Sequence, residues 1–151
     1  MTMTSQTNVS VQLAETVAGE LVAVRGVLDL LAQESTALLA RDAGLLAAVS
    51  NAKAAAVARA AELGQQRQAL LQRNPGLDQS GVTSALEKLR ALAVECRQQN
   101  EANGLMIRGQ RRRIEGALNI LRGGQPGGEI YGRDGAATRL RQVPRGALAA
   151  W

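Results

Sequence analysis

A chain of 151 residues carries 18 Lys and Arg against 13 Asp and Glu, with no His, one Cys and only two aromatic residues, Tyr131 and Trp151. Such a length holds one domain, and without imidazoles or a second thiol there is no His-based acid–base catalysis, no internal disulfide and no Cys- or His-rich metal site. The composition therefore argues against an enzyme, and no catalytic residue, metal ligand set, cofactor or small-molecule substrate is expected.

The opening "MTMTSQTN" has neither the basic start nor the apolar run of a secretory signal, and no apolar stretch reaches the roughly twenty residues that a bilayer crossing needs. A cytoplasmic protein is expected, with residues 1–8 disordered. Helical periodicity follows: Val17, Leu21, Val24, Leu28, Leu31, Ser35 and Leu38 recur in steps of four and three, which predicts a helix over 9–40. Asp42 is placed to cap a second helix over 43–73, whose stripe is Leu46, Val49, Ala56, Ala60, Leu63 and Leu70. Lys53 and Arg67 interrupt that stripe. Their long stems can lie along apolar surface with the charge in water, or they are ordinary flanking charges.

The string "NPGLDQSG" has the Pro, Gly and polar residues of a loop. A third helix is predicted over 82–122, with the heptad Leu86, Leu89, Ala93, Cys96, Asn100, Asn103, Ile107, Gln110, Ile114, Ala117 and Leu121. Unbroken, it is roughly 60 Å long. Asn103–Gly104 would suit a hairpin, but no alternating pattern flanks it, so the helix is read straight through. Cys96 is read as a small hydrophobe of the seam. The polar positions Asn100, Asn103 and Gln110 either fix register or belong to a seam left open for a partner helix. The predicted fold is all-α: an elongated antiparallel bundle of three long, coiled-coil-like helices spanning 9–122.

Residues 123–151 are read as a flexible tail, because six glycines and a proline between Gly123 and Gly135 resist regular structure. Within it an isolated Tyr131 among glycines has the character of a recognition element that orders on a partner; Trp151 is read as an exposed terminal residue. Charge is uneven. Residues 1–96 carry eight Lys or Arg and nine Asp or Glu, whereas 97–151 carry ten and four. The cluster Arg108, Arg111, Arg112 and Arg113 gives an alternative function, a coiled-coil nucleic-acid-binding regulator. The lack of neighbouring aromatics and of any binding module weighs against nucleic acid.

Three strings carry a resemblance. In "LLAQESTALLARDAGLLAAVSNAK" the relevant positions are Leu30, Leu31, Glu34, Ala37, Leu38, Asp42, Leu45 and Lys53. In "NEANGLMI" they are Asn100, Asn103 and Gly104, and in "IYGRDG" they are Tyr131, Gly132 and Gly135. By their order and spacing the chain resembles the FlgN family of flagellar type III export chaperones. The resemblance implies a helical cytoplasmic chaperone that binds the C-terminal ends of hook–filament junction (hook-associated) proteins, prevents their premature assembly and delivers them to the export gate. It places client binding on the third helix and its C-terminal region; there the second half of the seam, part apolar and part hydrogen-bonding, is the expected surface, with Asn100, Asn103, Gly104, Ile107, Gln110, Ile114, Leu118 and Leu121. It places docking on the cytoplasmic domain of the export gate at Ile130, Tyr131 and Gly132. A second copy, as a homodimer, can cover the open seam when no client is present.

Overall fold

The computed structural model describes residues 3–124, with side chains from Gln6 onward. Among these residues there are three α-helices, α1 (Met3–Ala40), α2 (Ala43–Arg73) and α3 (Thr83–Leu121), with one 3-10 turn at Ser80–Val82 and no strand. The chain forms two units: one ends at Arg112 and the other begins at Arg113.

The expectation of disorder over 1–8 is corrected from Met3 onward, where the chain is already helical. Extending an existing helix adds one hydrogen bond per residue fixed, without a new nucleation cost. Gln6 and Val9 also border a shallow depression with Asn74, Gly76 and Leu77, so the loop after α2 lies beside the first turns of α1.

α1 ends in a Schellman arrangement, with the Asp42 N–H donating to the Ala37 carbonyl at 3.0 Å and the Arg41 N–H to Leu38 at 3.2 Å. Arg41 sits at the left-handed position with φ 54°, where a Cβ is penalised and Gly is favoured. Replacing Arg41 with Gly is therefore expected to stabilise the fold by about 1 kcal/mol, read as a higher urea midpoint with an unchanged slope; a lower midpoint would refute the strain argument. One residue later Asp42 caps α2, its carboxylate accepting the Leu45 N–H at 2.9 Å.

Two ion pairs define how α1 and α2 pack. Lys53 Nζ donates to Glu34 Oε1 at 2.6 Å, and Arg67 donates to both Glu20 oxygens, at 2.7 Å from Nε and 3.3 Å from Nη2. Glu20 and Glu34 are two heptads apart on α1, as are Lys53 and Arg67 on α2, and the numbering runs in opposite senses. The two helices are thus antiparallel. Their backbones approach within 8 Å, which the Ala-rich α2 permits. At Gly64 a Cβ would stand only 3.1 Å from a Glu20 carboxylate oxygen, so this close approach depends on a missing side chain.

α3 packs differently. Cys96 meets the Val24 carbonyl, Asn103 the Leu31 carbonyl and Gln110 the Leu38 carbonyl, each pair 72 residues apart. A constant offset means that α3 runs parallel to α1, in a register repeating every heptad. At the end where the 74–82 connection lies, Leu13, Val17 and Val82 form a buried cluster against Leu71, Leu77, Ala85 and Leu86. In that connection Asp78 accepts from both the N–H and the hydroxyl of Ser80 at 2.9 Å, which holds its carboxyl below the usual range.

The α1 seam matches expectation at Val17, Leu31 and Leu38 and differs at the alternate positions, where the residue one earlier is the buried one. Buried positions are Leu13, Val17, Glu20, Val27, Leu31, Glu34, Ala37 and Leu38, while Leu21, Leu28 and Ser35 are only half-buried. Reading carboxylates as solvent-facing shifts these positions by one. They are buried here because α2 supplies a cation for each.

Candidate functional site

Asn103 sits deepest of the polar residues, 1% exposed. Its amide donates to the Leu31 carbonyl at 2.9 Å and to Glu34 Oε2 at 2.8 Å, and Gln99 donates to its Oδ1 at 3.1 Å. Glu34 thereby joins Lys53 and Asn103, so one carboxylate ties all three helices together. The network is complete: no buried side-chain nitrogen or oxygen among the described residues lacks a partner. One heptad on, Gln110 Nε2 donates to the Leu38 carbonyl at 2.7 Å. One heptad earlier, Cys96 Sγ lies 3.7 Å from the Val24 carbonyl. Burial and the neighbouring Glu95 charge push this thiol's pKa up, which favours the protonated form.

The residues expected to meet a client separate into distinct environments. Asn103 and Gln110 are engaged with α1. Gly104 is half-buried, and the guanidinium of Arg108 lies 3.4 Å from where its Cβ would be; α3 continues through it unbroken. Asn100 and Ile107 are exposed. In the second unit Ile114, Leu118 and Leu121 are 61%, 42% and 82% exposed. Ile130, Tyr131 and Gly132, the Gly-rich tail and Trp151 lie outside the described residues.

Steps of three and four lead from Asn103 through Ile107, Gln110, Ile114 and Leu118 to Leu121, so these positions share one helical stripe. In the 72-residue register, Ala40, the last residue of α1, stands opposite Arg112. From Arg111 to Gly124 every side-chain position is exposed. Within the first unit Asn103 and Gln110 of this stripe bond to α1 carbonyls, and in the second unit Ile114, Leu118 and Leu121 are exposed. α3 ends in a second Schellman arrangement, with Gly123 at φ 76° and the Gly124 N–H donating to Asn119 at 2.8 Å.

The burial of Glu20 and Glu34 and the part played by Gln99 were not anticipated, although Glu34 and Lys53 are among the positions that carry the resemblance. A signal for the first two exists: each continues the three-residue step after Val17 and Leu31, and two basic residues on the next helix repeat the same two-heptad interval. Among the described residues no group of three potential ligands could hold a metal ion, and no helix is long and apolar enough to cross a membrane.

A helical body whose last stripe of apolar side chains is uncovered is suited to binding another helix, and the comparison with known families gives that class its particular form, flagellar export chaperones. The chain belongs to the FlgN protein family, which matches residues 3–139, and the family binds flagellar hook-associated proteins in general. Neither a curated protein nor a solved structure matched the chain.

Proposed function

We propose that this protein is a cytoplasmic chaperone that captures the C-terminal region of hook-associated proteins on α3, prevents their premature assembly and carries them to the export gate. The observation that supports capture on α3 is the uncovered apolar stripe of Ile114, Leu118 and Leu121. Leaving three large aliphatic side chains in water on one helical face forfeits the gain from burying them, about 1.5–3 kcal/mol each, unless a partner arrives. In the first unit Asn100 and Ile107 are exposed candidates for further client contact, while Asn103 and Gln110 hold α3 to α1. Mixing the full chain with a purified hook-associated protein tests the proposal. A one-to-one complex lost on deletion of the client's C-terminal segment is expected; a complex indifferent to that deletion would refute it.

Docking on the cytoplasmic domain of the export gate is assigned to Ile130, Tyr131 and Gly132. An aromatic anchor commonly dominates so small a contact, at about 2 kcal/mol or more. Tyr131→Ala is expected to weaken gate binding by about thirtyfold and to leave helicity, thermal midpoint and client affinity unchanged. A marked fall in thermal midpoint would make Tyr131 a core residue instead.

A further inference from the structure

We infer that the segment captured at the end of α3 is an amphipathic helix whose apolar anchors are flanked by Asp and Glu, an inference that rests on the chaperone reading above. Ile114, Leu118 and Leu121 stand at i, i+4 and i+7, the spacing by which one helix offers anchors to another. Arg113 and Arg122 flank them, and Arg108, Arg111 and Arg112 come just before in the sequence; from Leu105 to Gly124 the only acidic residue is Glu115. Among the described residues Arg108, Arg112, Arg113 and Arg122 have no carboxylate partner.

Charge also discriminates between occupants. A second copy of the same stripe would set arginine against arginine, and like charges across an interface cost free energy. The chain's own tail, with Arg133, Arg139, Arg141 and Arg145 against Glu129 and Asp134, is also net positive and meets the same repulsion. A phosphate backbone would satisfy the arginines but leave the three aliphatic side chains in water, and no aromatic among the described residues offers a base a stacking surface. An acidic amphipathic helix satisfies both features at once.

The test measures association of the full chain with a purified hook-associated protein at low and high salt. Wild type is compared with Arg108→Gln/Arg112→Gln/Arg113→Gln and with a charge-matched variant elsewhere, Arg25→Gln/Lys88→Gln/Arg90→Gln. Circular dichroism confirms that both variants are folded. The first variant is expected to associate about tenfold more slowly at low salt, with the difference vanishing at high salt and dissociation nearly unchanged; the second should match wild type. Equal association rates for the two variants would overturn the inference while leaving client capture intact. If wild type binds no hook-associated protein, the chaperone reading itself fails and the inference with it. A short DNA duplex bound by wild type and released by the first variant would reassign the arginines to phosphate.

Discussion

Replacing Lys53 with Met is expected to cost about 3 kcal/mol of folding stability and to lower the thermal midpoint by more than about 10 °C. The Glu34 side chain is 4% exposed and that of Lys53 23%, so the substitution strands a carboxylate that water hardly reaches. Asn103 would still donate to it, which places the loss at the lower end of the range for breaking a buried pair. The double substitution Glu34→Leu/Lys53→Met should recover most of the stability, because exchanging a whole buried pair for apolar groups is often nearly neutral. Asn103 then keeps its bond to the Leu31 carbonyl but loses the acceptor of its second amide N–H, so the recovery stays short of wild type. Urea denaturation of both variants decides the matter. A Lys53→Met variant within about 0.5 kcal/mol of wild type, the size of an ordinary surface substitution, would mean that Glu34 finds other solvation and that the pair does not define the helix packing.

Ile114→Asp or Leu118→Asp should lower client affinity by at least about a hundredfold, since each would bury an unpaired carboxylate in the contact. The free protein should keep its thermal midpoint, because both positions are already exposed. Leu31→Asp is the paired comparison. That residue is 2% exposed and lies where Asn103 of α3 bonds to α1, so its replacement should unfold the bundle. Leu28, which the heptad pattern would choose for this purpose, is only half-buried and would give a milder effect. Equal melting of Ile114→Asp and Leu31→Asp would place Ile114 in the core and move the client elsewhere.

Three helices were legible because long stretches of Leu, Val and Ala at three-and-four spacing, bounded by Asp42 and by the Pro75–Gly76 turn, leave few alternatives. The cap at Asp42 was legible for a local reason: a side chain bonding three residues onward needs no tertiary partner. The start of α1 was not. Met3 to Asn8 have no apolar period, and their helicity follows from elongation of the helix that Val9 and Leu13 anchor. The burial of Glu20 and Glu34 was missed for a different reason. A carboxylate is by default a surface residue, and only a cation on another helix reverses that default.

The candidate face divides along the same line. That α3 carries an apolar stripe at its end, rich in arginine and followed by a Gly-rich segment with a lone Tyr131, was determined by the sequence alone, since periodicity and charge are properties of local order. Whether each stripe residue is covered was decided only by the tertiary structure. Asn103 and Ile114 occupy the two alternating positions of one heptad pattern. Asn103 is buried because the 72-residue register brings the Leu31 carbonyl to its amide, whereas Asn100, Ile107 and Ile114, on the other position of the heptad, are exposed. Which position of the heptad is covered depends on the packing register, and that register is set by side chains distant in sequence: Glu20 with Arg67, Glu34 with Lys53 and Asn103.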